Sequence, residues 1–461
     1  MDAIAILDVG KTNVKVTLVA DGGIIEQRRR HNEPHPAPPY LHLANDRIWD
    51  WALDQLTALS RQFTITDIVP VAHGASVAAI DGGGLVLPML DYEQDISDFD
   101  AEYEQLARDF AETACPRLPC GHNTGRQLFW LQRKFSEAFA RTKAIVGYSQ
   151  YWAFLLSGVA ASELTALGCH TDLWRPRVAD YSRLVDTTGW RRLMPPLRKA
   201  SDVLGPIRPE IAARTGLSPQ CRVRCGIHDS NATFLRWRSL LQEPFTVAST
   251  GTWIILLAAG GNLPAAGEHL DCLGNVDALG NLVASARFLG GRELERIAGE
   301  HRAVGGSAED KLTRLLAVPC YALPAFSDQG GPFAGRKGRI VDEHGNDAAA
   351  SDPSTLGAVY CALMTDLMLD VLTARGPIIL DGPFATNNVY IAALAALRPE
   401  SPVLPSAETQ GTSLGAALLA DPNWPASLPV AALRPAVDIT AYRTRWRMLS
   451  GADRVRAEVG L

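Results

Sequence analysis

The sequence predicts a mixed α/β protein built from two related halves. Residues 4–18 and 245–260 each have the pattern of a strand, a short polar turn and a second strand. Residues 377–397 have the pattern of a buried strand, a glycine turn and a helix. The chain has 461 residues, of which 47% are hydrophobic, so it is long enough for roughly two or three domains with their own cores.

The first hairpin contains the letters Gly-Lys-Thr, yet it does not match a P-loop. A P-loop requires a glycine five positions before its Gly-Lys pair, and that position is Ala5. Residues 14–18 alternate between apolar and polar side chains, which is the period of a half-buried strand. We therefore expect a hairpin whose turn presents Asp8, backbone N–H groups and the side chains of Thr12 and Asn13.

The second hairpin has the polar turn Thr250-Gly251-Thr252 and lies roughly half a chain after the first. Two similar hairpins, each opening one half, indicate a duplicated domain whose two turns face one another across a cleft. A chance resemblance of two short hairpins is the alternative. The predicted domains are residues 1–243 and 244–461.

Further elements follow from hydrophobic spacing and from glycine and proline positions. Strands are expected within residues 68–80, with a break at His73-Gly74, and helices over residues 126–139 and near 150–156. Residues 354–375 have helical spacing, and Gly376 suits the position after the helix end.

In the second half, a strand leads through Asp381-Gly382 into a helix that begins near Asn387. A glycine turn between a strand and a helix N-terminus is a common nucleotide site.

Asp229 lies where an apolar run ends and a helix begins, within residues 225–235. It is flanked by His228, Ser230 and Asn231. This cluster of polar side chains is a candidate functional site. The alternative is that Asp229 only caps the helix N-terminus.

The composition excludes several classes of function. The net charge is −6 and no dense basic block occurs, so we expect no nucleic-acid partner. The charge-free run over residues 245–267 is rich in glycine and polar residues, so we expect no membrane span. The eight cysteines show no C-x-x-C spacing, which predicts buried thiols in a reducing cytoplasm. A zinc site through His170 or His228 is the alternative.

The four motifs together resemble the FGGY carbohydrate kinases. Along the chain they are the Asp-x-Gly-x-Thr hairpin, His-Asp-x-x-Ala, Ser-Thr-Gly-Thr, and Asp-Gly-x-x-x-x-Asn-Asn. The resemblance covers nearly the whole chain in the expected order. It implies the two-lobed actin/hexokinase-like (ribonuclease H-like) fold, a duplicated domain with a catalytic cleft between its lobes. It also implies ATP and Mg²⁺ as cofactors and a small-molecule sugar as the partner.

The resemblance also implies a role for individual residues. Asp229 corresponds to the catalytic base that takes the proton of the sugar hydroxyl, and Asp8 to the carboxylate near the metal. The residues implied to bind the nucleotide are Gly10, Lys11, Thr12, Asn13, Thr250, Gly251, Thr252, Gly382 and Asn387. The residues implied to contact the sugar are His73, Gly74, His228, Asp229 and Arg126.

Two positions depart from the family pattern. Many relatives carry a small residue where this chain has Lys11, whose ammonium group either contacts a phosphate or is solvated. Relatives commonly have a second glycine where this chain has Pro383, and proline removes a backbone N–H there. Apart from these departures the pattern suits phosphoryl transfer, which needs positioning and charge stabilisation more than covalent chemistry.

The segment around His228 and the opening hairpin resemble the fuculose and rhamnulose kinases, which implies a deoxy-ketohexose or a ketopentose as substrate. The alternative for His228 is a structural hydrogen bond. Two other functions stay open: a non-catalytic nucleotide- and sugar-binding sensor on the same fold, and an acetate- or butyrate-type kinase or ATPase. A homodimer is also compatible with the sequence.

Overall fold

A computed structural model describes residues 2–106, 109–265, 267–299, 305–406, 410–432 and 434–461. The chain forms two compact units. The first comprises Met1–Leu240, Gly274–Leu282 and Gln410–Ala426, and the second Leu241–Leu273, Val283–Thr409 and Ser427–Leu461. The two predicted domains are contiguous in sequence, whereas the first unit also takes in two segments from the second half of the chain.

Most of the strands lie before residue 240, in the first unit. They are β1 (Asp2–Val9), β2 (Asn13–Ala20), β3 (Gly23–His31), β4 (His35–Ala37), β5 (Tyr40–His42), β6 (Thr64–Ala72), β7 (Val77–Asp81), β8 (Gly84–Leu85), β9 (Ala144–Gly147), β10 (Ser162–Glu163), β11 (Trp174–Arg175), β12 (Asp180–Tyr181), β13 (Leu197–Arg198), β14 (Val203–Pro206), β15 (Arg222–Arg224) and β16 (Ile227–His228). Its helices up to residue 240 are α1 (Asn45–Ser60), α2 (Asp100–Gln105), α3 (Phe110–Thr113), α4 (Thr124–Lys134), α5 (Ser136–Phe139), α6 (Tyr148–Ser157), α7 (Leu164–Leu167), α8 (Arg183–Thr187), α9 (Pro209–Thr215) and α10 (Asp229–Arg238).

The remaining elements follow Leu240. The strands are β17 (Phe245–Thr250), β18 (Ile254–Ala259), β19 (Cys272–Val276), β20 (Leu282–Phe288), β21 (Cys320–Leu323), β22 (Arg339–Asp342), β23 (Ile378–Asp381) and β24 (Val403–Pro405). The helices are α11 (Gly290–Ala298), α12 (Ala308–Ala317), α13 (Pro353–Val371), α14 (Asn388–Leu397), α15 (Gly411–Ala417), α16 (Thr440–Ser450) and α17 (Ala452–Glu458), of which α15 belongs to the first unit.

The main sheets of the two units share one plan. The first has the order β14-β15-β6-β1-β2-β3, with β16 also paired to β6. The second has the order β19-β20-β18-β17-β23-β24. In each, an antiparallel hairpin gains a third antiparallel strand on one side and two parallel strands on the other. This repeated pattern supports the duplication that the two hairpins predict.

Strand β1 is buried on both faces because helices cover both sides of the first sheet. Ala5 and Leu7 belong to the core cluster that contains residues of α1 and α6. Ile4 and Ile6 belong to the opposite cluster, with residues of α10 and α15. Because strand side chains alternate between faces, Asp8 lies on the same face as Ile6, the face that α10 covers.

The predicted hairpins, the strand break at His73-Gly74 and the helix near residues 150–156 are confirmed. The predicted helix over residues 126–139 is interrupted at Phe135, whose φ of −129° leaves the helical region. Its ring packs against Tyr40 and Trp130, so tertiary packing overrides the helical pattern here.

The prediction that Gly376 follows the end of α13 is wrong. The helix ends at Val371, and Thr373 takes the left-handed conformation with φ +49°. Gly376 has φ +77° and begins the next turn, where a side chain would collide with the carbonyl of Pro244. The glycine is therefore required by a close backbone approach rather than by the helix end.

One described helix, α13, is long and apolar enough to cross a membrane by length and composition, but 89% of its apolar window is buried inside the chain. The charge-free residues 245–259 form the β17–β18 hairpin. All eight cysteines are free thiols, seven of them buried, as predicted.

Candidate active site

The turn between β1 and β2 is closed by its own hydrogen bonds. The Gly10 amide donates to the Asn13 carbonyl at 2.9 Å, and the Asn32 side chain donates to the Gly10 carbonyl at 2.9 Å. Thr12 at the tip is exposed, whereas the Asn13 amide oxygen accepts a hydrogen bond from Arg29 at 3.0 Å. The turn is a hairpin and not a P-loop, as the sequence predicts.

Asp8 is 5% exposed at the end of β1. Lys15, directly opposite on β2, places its Nζ 3.3 Å from Asp8 Oδ2. Burial raises the pKa of Asp8 to about 6; the charge of Asp229 adds to the rise, while Lys15 opposes it. The two aspartates are thus close enough for their charges to interact.

Lys11 does not lie free in solvent at the turn. Its Nζ is 2.5 Å from Asp91 Oδ1, 3.6 Å from Glu93 Oε2 and 4.2 Å from the centre of the Tyr92 ring. Asp91 is fully buried, so the ammonium group compensates a buried charge. A phosphate contact by Lys11 would share the ammonium group with this partner, since a lysine has three N–H donors.

His73 and Gly74 follow β6 beside the first turn. The His73 amide donates to the Val9 carbonyl at 3.1 Å. A side chain at position 74 would approach His228 Nε2 to 2.7 Å and His170 Cε1 to 3.4 Å. Glycine at this position lets the backbone lie directly against the His228 ring, so the predicted pair His73-Gly74 lies beside His228.

Asp229 is the first residue of α10, and His228 occupies the cap position before it. The Asp229 side chain is 31% exposed, whereas that of His228 is 7% exposed. His228 Nε2 lies 3.3 Å from Asp229 Oδ1, and its Nδ1 lies 3.2 Å from Asn231 Nδ2. Asp229 therefore presents a carboxylate at the surface of the site, with a buried imidazole holding one of its oxygens.

Residues of the segment 162–174 lie against His228. Glu163 is 2% exposed, and its carboxylate accepts hydrogen bonds from the amides of Thr165 and Ala166. The Thr165 hydroxyl donates to Glu163 at 2.6 Å and accepts from the His228 amide at 3.0 Å. This chain of bonds fixes the backbone immediately before Asp229. The sequence Glu163-Leu164-Thr165 weakly indicates the first of these hydrogen bonds, because a carboxylate and a hydroxyl two residues apart favour local bonds of this kind.

Cys169 completes the surroundings of His228. Its Sγ lies 3.8 Å from His228 Nε2, and the residue is 5% exposed. Although burial opposes it, the nearby rings of His170 and His228 lower the pKa of Cys169 to about 5. Burial likewise opposes a charge on His228, yet the charges of Cys169 and Asp229 raise its pKa to about 9. Both shifts favour a thiolate–imidazolium pair near neutral pH.

We predict that Cys169 supplies a thiolate that titrates near pH 5. Because folding lowers the pKa of Cys169 from 9.0 to about 5, the stabilisation is fully present above about pH 9 and is lost as the pH falls through about 5. An ultraviolet titration of thiolate absorbance should show a low-pH step that Cys169→Ser removes and His228→Gln moves to higher pH. Cys221→Ser is the control, since burial raises the pKa of Cys221 to about 12. Retention of the step in Cys169→Ser would refute the assignment.

Arg126 is engaged elsewhere in the first unit. Its Nε and Nη2 donate to the Asp100 carboxylate, both at 2.7 Å, and its Nη1 donates to the Cys120 carbonyl at 2.6 Å. This bidentate pair uses most of the guanidinium donors. The structure does not bring Arg126 into contact with His73, His228 or Asp229 among the described contacts, and its role toward a sugar stays a prediction.

In the second unit, Thr250 joins the second hairpin turn to the strand–helix turn. Its hydroxyl donates to the Asp381 carbonyl at 2.6 Å and accepts from the Phe384 amide at 3.1 Å. The Gly251 amide donates to the Trp253 carbonyl at 2.9 Å, and Thr252 is exposed. The two segments predicted to bind the nucleotide are therefore adjacent within one unit.

The turn after β23 has a well-defined backbone. Gly382 has φ +95°, and Pro383 begins a 3₁₀ turn, Pro383–Thr386. Asn387 caps α14, and its side chain accepts from the Tyr390 amide at 3.1 Å. The missing N–H of Pro383 falls at the start of a helical turn, where it needs no partner. The departure at Pro383 thus fits the local fold.

We predict that Gly382→Ala weakens ATP binding at least about tenfold and lowers Tm. A Cβ at this position would collide with the Thr250 carbonyl, and the φ of +95° is unfavourable for alanine. Nucleotide titration and thermal unfolding measure the two effects. Gly305→Ala is the matched control in the same unit, because a Cβ there meets no atom within 4 Å. Unchanged ATP affinity in Gly382→Ala would contradict the prediction.

The fit of a Mg²⁺ ion rests on Asp8. Within the described residues no group of three or more His, Cys, Asp or Glu side chains could hold a metal by itself. Mg²⁺ usually binds through one or two carboxylates together with substrate phosphates and waters. A buried carboxylate at the first turn, close to that of Asp229, meets this requirement. The same finding gives no support to a zinc site at His170 or His228.

Comparisons with known proteins bear on the family and the fold of the chain. The model of the FGGY family of carbohydrate kinases, N-terminal domain, matches residues 114–235, and that of the C-terminal domain matches residues 242–427. Escherichia coli K12 L-fuculokinase is 24% identical over 272 residues, which is 56% of this chain and 56% of that protein. The match thus spans about half the length of that curated relative, and it agrees with the fuculose-kinase-like branch that the sequence resembles.

Solved structures extend the similarity to nearly the whole chain. A carbohydrate kinase from Novosphingobium aromaticivorans is 34% identical with a TM-score of 0.88, covering 98% of this chain and 99% of that chain. A ligand-bound xylulose kinase from Lactobacillus acidophilus has a TM-score of 0.78 at 14% identity and covers 99% of both chains. These structures confirm the two-domain actin/hexokinase-like fold. The chain belongs to the FGGY family of carbohydrate kinases.

Proposed function

We propose that this protein transfers the γ-phosphoryl group of ATP to a hydroxyl of a small sugar, with Asp229 as general base. The observation that carries the proposal is the partly exposed Asp229 carboxylate at the start of α10, close to the buried Asp8 and held by His228. In the reaction, the Asp229 carboxylate takes the hydroxyl proton and the sugar oxygen bonds to the γ-phosphorus. The bond from that phosphorus to the β–γ bridging oxygen breaks, and ADP leaves.

His228 is a positioning residue in this scheme. Its Nε2 lies 3.3 Å from one Asp229 oxygen, so it orients the carboxylate toward a hydroxyl on the other side. Its backbone amide is fixed through Thr165 and Glu163. A base that is already held in its working orientation loses little conformational freedom during the reaction.

The nucleotide is assigned to the glycine and threonine turns. In the first unit the exposed tip at Thr12 offers a hydroxyl and backbone N–H groups, and in the second unit the exposed Thr252, which follows Gly251, offers the same. The Gly382–Asn387 turn is assigned to adenosine. Asp8 would hold Mg²⁺, which when bound neutralises charge on the phosphate oxygens.

The sugar is proposed to be a ketose, either a 6-deoxy-ketohexose or a ketopentose. The support is the motif around His228 and the similarity to L-fuculokinase over part of the chain. His73, Gly74 and His228 are the residues proposed to face it, because they lie together next to Asp229.

The direct test is ADP release from Mg-ATP across a panel of ketoses, aldoses and polyols. The panel includes L-fuculose, L-rhamnulose, the ribuloses, the xyluloses and glycerol. Sugar-dependent ADP release is the expected result. Bound ATP without release for any sugar would instead favour the second candidate, a nucleotide-dependent sugar sensor. The presence of Asp229 favours the kinase, since a sensor has no need of a base.

The expected compartment is a reducing cytoplasm, supported by eight free thiols. A small-molecule sugar is the proposed partner, and a homodimer is compatible with this proposal. Size-exclusion chromatography with light scattering measures the oligomeric state.

A further inference from the structure

A small cavity lies in the first unit beside the proposed base. It has a volume of about 30 Å³ and is lined, among other residues, by His73, Ser76, Thr124, Glu163 and His228. His228 connects it to the site, because the same ring places Nε2 3.3 Å from Asp229 Oδ1. A volume of this size has room for about two water-sized groups, so it can take one end of a sugar but not a whole ring.

Three buried polar atoms of the lining residues have no hydrogen-bond partner among the described residues. They are His73 Nε2, Ser76 Oγ and Thr124 Oγ1. The three residues are 8%, 6% and 3% exposed, so bulk solvent does not compensate them. Buried polar groups in folded proteins nearly always have a partner, supplied by the chain, by water or by a ligand. Three such atoms around one cavity therefore indicate a polar occupant.

The hydrogen-bonding role of His73 is fixed by its surroundings. Its Nδ1 lies 2.7 Å from the Gly74 carbonyl, which can only accept, so Nδ1 carries the proton. Burial lowers the pKa of His73, which keeps the ring neutral. Nε2 therefore offers a lone pair and needs a donor. The hydroxyls of Ser76 and Thr124 can each donate or accept.

The other polar groups of the wall are already used. Glu163 accepts from Thr165 and Ala166, and the Tyr148 hydroxyl donates to Asn45 at 2.9 Å. Apolar side chains, among them Val77 and Ile145, complete the wall and suit a carbon atom. The cavity thus fits a group of one carbon and one hydroxyl. His73 Nε2 can accept a hydrogen bond from that hydroxyl, and the hydroxyls of Ser76 and Thr124 can each donate or accept one.

We propose that this cavity is a subsite for a terminal hydroxymethyl group of the sugar and that Ser76 and Thr124 determine specificity for it. The inference rests on the proposed function and narrows it. A terminal methyl group would occupy the same space and leave all three polar atoms without partners. The preferred substrate is therefore a ketose that has a CH₂OH at the end that enters the cavity, such as a ketopentose, rather than a 6-deoxy-ketohexose that would enter by its C6 methyl group.

The test compares sugars that differ only at this terminal carbon. The pairs are L-tagatose with L-fuculose, L-fructose with L-rhamnulose, and the ketopentoses with their 5-deoxy counterparts. Binding is measured by calorimetry without ATP, and ADP release is measured separately. We expect the hydroxymethyl member of a pair to bind at least about tenfold more tightly, because a buried polar site rejects an analogue that lacks the hydroxyl.

Two variants and one control connect this preference to the cavity. Ser76→Ala and Thr124→Val should each reduce the preference about tenfold while the Tm stays close to that of the unsubstituted protein. Thr142→Val is the control, because Thr142 Oγ1 is also buried and without a partner among the described residues but does not line the cavity. It should leave the preference unchanged.

Several outcomes would overturn the proposal. They are a preference for the methyl member, a preference that both variants leave intact, and binding of no sugar in any pair. A crystal of the sugar complex in which a water keeps all three contacts would do the same. Sugar binding with the expected preference but without ADP release would support the subsite and refute only the proposed kinase activity.

Discussion

Asp229→Asn is expected to lower kcat by roughly 10²–10⁴-fold while ATP still binds. Asparagine has nearly the same shape as aspartate but cannot take the proton of the sugar hydroxyl. The position at the start of α10 and the contact with His228 are compatible with the amide, so the fold should be retained. ADP release with the best sugar of the panel and nucleotide titration measure the two quantities.

The control is Asp50→Asn, an exposed aspartate of the same unit that forms a surface ion pair with Arg214. It should turn over at the unsubstituted rate. Near-normal turnover by Asp229→Asn would show that another group is the base or that none is needed. Loss of ATP binding together with turnover would show that Asp229 supports the nucleotide site instead.

Asp8→Asn is expected to lower kcat/KM by on the order of 10²-fold and, unusually for an active-site change, to stabilise the fold at alkaline pH. The activity falls because the proposed Mg²⁺ ligand loses its charge. The fold gains because asparagine avoids burying a carboxylate that is only 5% exposed. Kinetics with Mg-ATP and thermal unfolding of the same two proteins test both parts.

The sign of the stability change follows from the pKa of Asp8. Its value rises from 3.8 to about 6 on folding, so the folded state disfavours the charged form. Below the unfolded pKa of 3.8, Asp8 is neutral in both states and does not lower the free energy of unfolding. As the pH rises through about 6, the buried carboxylate becomes charged and the fold loses stability. The gain from Asp8→Asn should therefore be largest above that pH, at most about 3 kcal/mol, and vanish near pH 4. A lower Tm of the variant at about pH 8 would show that the ion pair with Lys15 outweighs the burial cost.

The local elements could be predicted because each carries a signal within a few residues. Alternation of apolar side chains identified the hairpins β1–β2 and β17–β18, and glycine turns identified the entry to α14. The order of four such motifs was enough to recognise the family. Asp229 became the candidate base through this resemblance, because an aspartate at a helix start is by itself most often an N-cap.

Other features depended on residues that are far apart in the sequence. The sequence allows Lys11 either to contact a phosphate or to be solvated. Only the packing of Asp91 against the turn shows that the ammonium group is paired. Gly376 resembles a helix end, but the close approach of Pro244 explains it. The sequence does not distinguish Cys169 from the other seven cysteines, and only the fold shows that its Sγ lies 3.8 Å from His228 Nε2.

By itself, the sequence determined the class of fold, the duplication and the family, and it supplied Asp229 as the candidate base, since these depend on periodicity and on short motifs. Only the tertiary structure decided what surrounds that base. The hydrogen bond from the His228 amide to Thr165, and the cavity bounded by Ser76 and Thr124, are made by segments that are far apart in the sequence. The burial of these side chains and the distances between them determine which pKa values shift and which polar atoms lack a hydrogen-bond partner. Neither burial nor distance can be predicted from adjacent residues in the sequence.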